Sequence, residues 1–514
     1  MERYRTRRQM GGALLALITA GALLLTGCSA DQNHGNSPSY TGLPAPAPTR
    51  AQRGEATGST PSAPSAPSAP SAPSAPSAPS SEYLSTFALD VDTASYGYAR
   101  RTLADGRRPD PSTIRPEEFV NSFRQDYRTP GHNGFTVTVD GARTSDPDWS
   151  LVRVGLTTRP SEATGARPPA ALTFVIDVSG SMDEPGRLDL AKKSLDTMTD
   201  RLRDDDSVAI VAFSEHAETV LPTTRLAGHR AEIHDAVDGL TALYSTNLGE
   251  GVETGYATAV KGLRRNATNR VVLISDALAN DGETDPNAIL ERIDSDRREY
   301  GITLFGVGVG SDYGDALMER LADKGDGHTT YVSDTETAAQ VFCRQLPQNI
   351  ALVARDAKAQ VAFDPHTVAD FRLIGYQDRK IADQDFRDDR VDGGEVGPGH
   401  TVTALYAVRT KPHTAGHLAT ATVRWLDPKT RTPHENEGSM ETGALDDSVW
   451  TASPRFQVTA VAAYFADALA GGEYDMPGSP SLTRLHSRAA TLAEATEDKD
   501  VTDLSTAIGE AAPR

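Results

Sequence analysis

Cysteine is nearly absent from this chain: only Cys28 and Cys343 occur in 514 residues. At most one disulfide can form, so a disulfide-stapled scaffold is excluded. Long apolar runs are also missing. Beyond residue 25 no stretch is long and apolar enough to span a bilayer. Positive charge is scarce, with 51 Lys and Arg against 71 Asp and Glu and a formal net charge of −20. With no basic patch, this balance argues against nucleic-acid binding and suits solubility. Neither G-x-x-x-x-G-K-[ST] nor G-x-G-x-x-G after a strand is present, so nucleotide binding has no support. No Ser-His-Asp order is recognisable.

What is present begins with an address. Residues 1–10 carry Arg3, Arg5, Arg7 and Arg8, and residues 11–25 are small and apolar. A charged start, a short apolar stretch and small residues before a cleavage point make a secretory signal, here residues 1–27. The run Leu25-Thr26-Gly27-Cys28 resembles the bacterial lipobox. That resemblance implies that Cys28 becomes the acylated first residue of a protein anchored to the membrane by lipid alone. Cys343 then has no partner, and its apolar neighbours Ala338, Val341 and Phe342 mark it as a core residue. The pair Arg7-Arg8 leaves twin-arginine export open.

Residues 28–81 are rich in Pro, Ser, Ala and Gly, and 61–80 are six Pro-Ser-Ala repeats followed by Pro-Ser. Such a segment cannot bury a core and favours extended polyproline II. At about 3.1 Å per residue the repeat reaches roughly 60 Å, a stalk lifting the globular part off a membrane.

Residues 166–346 alternate strand and helix signals. Apolar runs at 172–176, 208–213, 271–274 and 302–309 predict buried parallel strands, with 217–221 an antiparallel strand near an edge. Helices are predicted over 187–202, 230–243, 248–263, 286–297 and 315–322. The result is a doubly wound, mainly parallel α/β sheet, whose ligands bind at the carboxyl ends of the strands. The first strand runs into Asp177-Val178-Ser179-Gly180-Ser181. A carboxylate and two hydroxyls at alternate positions suit Mg²⁺ or Mn²⁺, which prefer hard oxygen donors. Asp276 ends a second apolar run, and Thr246 sits in a polar loop opening a helix. Read alone, the Asp and Ser side chains could equally cap a helix.

Together these residues resemble the von Willebrand factor A domain with its metal-ion-dependent adhesion site. The resemblance implies that Ser179, Ser181 and Thr246 ligate the cation directly, and Asp177 and Asp276 directly or through water. One coordination position is left for an acidic group of a partner protein. The chain departs from the family at Ala277, where Gly is usual. Gly adopts positive φ freely and Ala only at a cost, so a weakened metal affinity is expected.

Residues 82–165 contain Thr86-Phe87-Ala88-Leu89-Asp90-Val91-Asp92-Thr93, a helix-like stretch at 94–104, and strand signals at 135–139 and 151–156. Asp90-Val91-Asp92 after a strand invites comparison with haloacid-dehalogenase-type phosphatases, whose first Asp is the nucleophile. Here the fifth position is Ala94 rather than Thr or Val. The preferred reading is that Asp90 ends the strand and Asp92 or Thr93 caps the helix.

From 347 to 514, alternating runs at 357–363, 371–376, 401–409 and 418–426 predict strands. Amphipathic helices are expected at 456–469 and 481–495, giving an α+β domain. The acidic loop 383–395 lacks EF-hand spacing and reads as solvated. The phrases at 87–96, 167–182, 356–379 and 389–408 resemble a bacterial family of exported von Willebrand A-domain lipoproteins, which has its own N-terminal segment and C-terminal domain. The expected function is metal-dependent binding of an extracytoplasmic partner protein, without catalysis. The alternatives are an extracytoplasmic hydrolase using Asp90 and Asp92, or a scaffold whose metal site stays vacant.

Overall fold

The computed structural model describes residues 81–512, apart from 90–91, 132–133, 161–166, 278–279, 311–316, 319, 322–327, 333, 335–336, 339–340, 343–351 and 392. The readings for the signal segment, Cys28, the stalk up to residue 80, Asp90 and Cys343 fall outside the described residues. Ahead of the central domain lie β1 (Leu84–Ala88), α1 (Ala94–Ala104), α2 (Pro116–Asn121), β2 (Phe135–Arg143) and β3 (Trp149–Thr158). The central domain contributes β4 (Ala170–Asp177), α3 (Leu188–Arg201), β5 (Ser207–Phe213), β6 (Ala217–Arg225), α4 (Arg230–Asp238) and α5 (Leu248–Lys261). It continues with β7 (Thr268–Ser275), α6 (Pro286–Tyr300), β8 (Thr303–Val309) and β9 (His328–Val332). Then follow β10 (Arg355–Phe363), β11 (Val368–Leu373), β12 (Lys380–Ile381), β13 (Thr401–Thr410), β14 (His417–Leu426) and β15 (Pro433–Glu441). The helices α7 (Pro454–Leu469), α8 (Leu482–Thr496) and α9 (Lys499–Ala511) close the chain.

The central sheet has the order β6-β5-β4-β7-β8-β9. All neighbours are parallel except the edge strand β6, which runs antiparallel to β5. Every residue of β4 is buried, as a central parallel strand requires. Leu172, Phe174 and Ile176 face α3 and α4, while Val175 points the other way, toward α5 and α6. Period-two alternation with apolar residues on both faces produces the doubly wound architecture. Helix α5 lies very close to the sheet because glycines face it. A Cβ at Gly255 would stand 2.3 Å from the Val175 side chain, and one at Gly251 would stand 2.6 Å from the Phe213 ring. That close approach brings the loop ahead of α5 to the end of β4.

The two flanks do not form separate units. They share two antiparallel sheets, ordered β12-β1-β10-β14-β15 and β11-β13-β3-β2. Strand β1 pairs with β10, and β3 lies between β2 and β13. The expected division into 82–165 and 347–514 therefore merges into one body, in which the central domain is an insertion. Alternation again sets the layers. Val152, Val154 and Leu156 of β3 and Val402, Ala404, Tyr406 and Val408 of β13 face the other sheet. Leu151, Leu405 and Ala407 face the helices. Helix α7 sits in that helical core and is buried almost all round rather than amphipathic. Its start is set by Pro454 and by the Ser453 side chain, which accepts from the Phe456 amide.

Buried charges lock the insertion to this host. Asp92 accepts from the Thr329 amide of β9 at 2.7 Å and from Arg379 at 3.1 Å. Arg270, at the start of β7, donates to Glu395 at 2.9 Å. Asp92 thus serves the junction, not the cap of α1, where Thr93 also makes no side-chain bond. Asp92→Ala removes a carboxylate partner of buried Arg379 together with the acceptor of an amide. A loss of about 3 kcal/mol in urea unfolding is expected. A loss below about 1 kcal/mol would show that the junction does not depend on Asp92.

Candidate functional site

Four loops meet at the carboxyl edge of the central sheet. Asp177 is the last residue of β4, and its burial follows from that position. Its Oδ1 accepts the Ser179 amide at 2.8 Å and its Oδ2 accepts the Ser275 hydroxyl at 2.5 Å. The turn that follows sets the Ser179 and Ser181 Oγ atoms 3.1 Å apart. At Gly180 the turn meets the loop 240–247. The Gly180 amide donates to the Tyr244 carbonyl at 3.3 Å, and the Leu243 amide donates to the Val178 carbonyl at 2.6 Å. A Cβ on Gly180 would stand 3.1 Å from the Leu243 carbonyl oxygen. The sequence pattern extended a helix through 243, but α4 ends at Asp238, which frees this loop for the contact.

Thr246 is buried just ahead of α5, whose N-cap Asn247 accepts from the Glu250 amide. The Thr246 amide donates to Asn280 Oδ1 at 3.1 Å, and its carbonyl accepts the amides of Asn280 and Asp281. Asp276 follows β7 and is also buried. Its Oδ2 accepts from Arg187 at 2.8 Å, and the same guanidinium reaches Glu184 at 2.7 Å. Ala277 has φ of 55°, the left-handed conformation that favours glycine. The Ala277 amide donates to Ser275 Oγ at 2.8 Å, and Ser275 in turn donates to Asp177. The strained residue thus helps orient the first carboxylate.

All five residues singled out in the sequence lie on these converging loops: Asp177, Ser179, Thr246 and Asp276 buried, Ser181 half-buried. Arg187, Ser275 and Asn280 went unnoticed in sequence. Arg187 read as the start of a helix and Ser275 as the end of a strand. Among the described residues, no group of three or more His, Cys, Asp or Glu could hold a metal. A cation at this edge would therefore depend on hydroxyl oxygens alongside the two carboxylates, a donor set of hard character.

Burial pushes the Asp177 carboxyl up to about 6. The hydrogen bonds from Ser275 and Ser179 pull it down, and the neighbouring charge of Asp276 pushes it up further. In the unfolded chain an Asp titrates near its ordinary value of about 3.9. The stabilising contribution of protonated Asp177 is therefore fully present below about pH 4 and lost as pH rises through about 6. In chelator, the parent should lose on the order of 3 kcal/mol relative to Asp177→Asn between pH 4 and pH 7. Parallel urea-midpoint profiles for the two proteins would contradict this.

Residues 171–344 match the von Willebrand factor type A domain. Residues 73–152 match von Willebrand factor, and 348–505 match the C-terminal region of the uncharacterized protein YfbK. YfbK of Escherichia coli (strain K12) is 33% identical over 416 residues, covering 76% of this chain and 72% of YfbK. The uncharacterized protein sll0103 of Synechocystis is 30% identical over 188 residues, 36% of this chain and 43% of that protein. A solved von Willebrand factor type A structure from Catenulispora acidiphila has a TM-score of 0.45 and 19% identity. It covers 74% of this chain and 91% of that one.

Proposed function

This chain belongs to the von Willebrand factor A-domain family that includes YfbK, and on that premise we propose that its central domain is a divalent-metal-dependent protein-binding module. The observation that carries the reading is the convergence of Asp177, Ser179, Ser181, Thr246 and Asp276 on loops hydrogen-bonded to one another. The donor set fits Mg²⁺ or Mn²⁺. Two buried carboxylates end adjacent parallel strands, and that of Asp276 is paired with Arg187. Counting these three groups, the edge carries one negative charge. A divalent cation turns that into one positive charge, because Ser179, Ser181 and Thr246 are neutral. When bound, such a cation supplies an electrophilic point for a partner's Asp or Glu carboxylate. Arg187 and Ser275 hold the carboxylates in place, and the tie from Asn280 to Thr246 fixes the second loop against the third.

We also propose that Cys28 carries a lipid anchor and that residues 29–80 serve as a spacer outside the cytoplasm. No hydrolytic role is proposed for Asp92, which is engaged at the junction.

Calorimetric titration with Mg²⁺ and Mn²⁺ tests the metal. Saturable one-to-one binding is expected. Asp177→Ala should lower the affinity at least tenfold, about 1.4 kcal/mol, with an unchanged circular dichroism spectrum. A parent that binds neither ion, or Asp177→Ala binding like the parent, would overturn the reading. For the anchor, Cys28→Ser should move the protein from the detergent phase to the aqueous phase. If the variant partitions like the parent with the same mature mass, the lipid assignment fails.

A further inference from the structure

Among the described residues, the exposed large hydrophobic side chains are Val220, Leu243 and Tyr244. Two of the three are consecutive and lie on the loop that contacts Gly180. Tyr244 is 93% exposed and Leu243 is 49% exposed. Their backbone is nonetheless fixed, because both residues hydrogen-bond to the 178–180 turn. A rigid backbone that offers an aromatic side chain to solvent is how a binding hot spot is built, since little ordering entropy remains to be lost.

The electrostatic surroundings define the partner. Around the site, the loops 178–186, 214–216, 240–247 and 276–285 contain no lysine or arginine. They do contain Asp183, Glu184, Glu215, Asp281 and Asp285, all exposed, and Glu283, half-buried. Glu184 is shared with buried Arg187, and His216 lies 3.6 Å from Glu250. Lys192, which reaches the start of the Tyr244 loop, donates to the carbonyls of Asp238 and Leu240. The hydrogen bond from the Asp281 amide to the Thr246 carbonyl and that from Asn247 to Ser214 hold this rim against the site.

An acidic partner would be drawn to a central cation but repelled by the rim. A basic segment with a single embedded carboxylate satisfies both fields. The exposed ring of Tyr244, on the loop that meets the 178–180 turn, suits a guanidinium or ammonium over its face, and Leu243 adds apolar contact. We propose that Tyr244, Leu243 and the acidic rim form the docking surface for a positively charged protein segment in which Arg or Lys flanks one Asp or Glu. The proposal rests on the metal reading for the seat of that carboxylate, and on the rim and Tyr244 for everything around it.

The test is fluorescence anisotropy with a labelled peptide, Lys-Arg-Leu-Glu-Lys-Arg, at saturating Mn²⁺ and about 0.15 M salt. Two controls accompany it: the same peptide with Gln for Glu, and the charge-reversed Glu-Asp-Leu-Glu-Asp-Glu. The basic peptide should bind at least tenfold more tightly than the reversed one. Tyr244→Ala should weaken it about fivefold, and the pair Glu215→Gln with Asp281→Asn should weaken it by a similar factor. Mn²⁺ affinity in calorimetry should stay within twofold of the parent for these variants. Equal or tighter binding of the reversed peptide overturns the proposal, as does Tyr244→Ala binding like the parent or the absence of any peptide binding by a Mn²⁺-loaded protein. Basic-peptide binding that needs Tyr244, yet is indifferent to chelator and to Gln for Glu, supports the docking surface while overturning the metal reading.

Discussion

Leu84–Ala88 lies antiparallel to Arg355–Phe363, although the whole central domain separates them in sequence. This pairing fixes much of the remaining architecture. It makes one body of the two flanks and requires both ends of the central domain to return to the same sandwich. It also sets α1 beside β9, where Asp92 meets the Thr329 amide and Gly97 leaves room for the Tyr331 ring. The buried pair Arg379–Asp92 and the pairing of buried Arg270 with partly exposed Glu395 follow from that placement. Breaking such a pair from one side leaves an uncompensated charge, so the insertion is held in one orientation.

At the opposite edge the governing problem is like charge. Two strands end side by side in buried carboxylates, and each carboxylate has its own remedy. Asp276 has Arg187, while Asp177 has the Ser275 hydroxyl and the Ser179 amide. The second remedy is incomplete, which is why burial still dominates the titration of Asp177. Ala277 sits within this arrangement at positive φ. Its amide orients Ser275 from a conformation that an alanine adopts only at a cost of about 1 kcal/mol.

Much of this was legible in the sequence, and what was not had physical reasons. The apolar runs of β4, β5, β7 and β8 announced themselves because both faces of a parallel strand are buried. Strand β9, with His328, Thr329 and Thr330, lacks that signature. The exposed edge strand β15 carries Glu435, Asn436, Glu437 and Gly438 where an apolar alternation would be sought. Helix α9 was not among the expected helices, although Val501, Leu504 and Ile508 keep helical spacing; it starts three residues after α8 ends, across Glu497 in the left-handed conformation. At the site, the five oxygen-bearing residues stood out because each lies at or just past the end of an apolar strand, or opens a helix. Arg187 and Ser275 did not, because their contacts to Asp276 and Asp177 span 89 and 98 residues. The merging of the flanks was hidden for the same reason, since strand partners so distant leave no local mark.

The position of β1 has a mechanical consequence. A pull applied at Ser81 enters the described body at β1. It is met there by hydrogen bonds to β10 on one side and to β12 on the other. The parallel sheet is not in that path, because both of its ends run back into the sandwich. Tension applied at Ser81 therefore bypasses the edge that carries Asp177 and Asp276, and a grip on the loop edge is needed to load it. The five residues of β1 set how much force applied there the sandwich sustains before its N-terminal flank peels away.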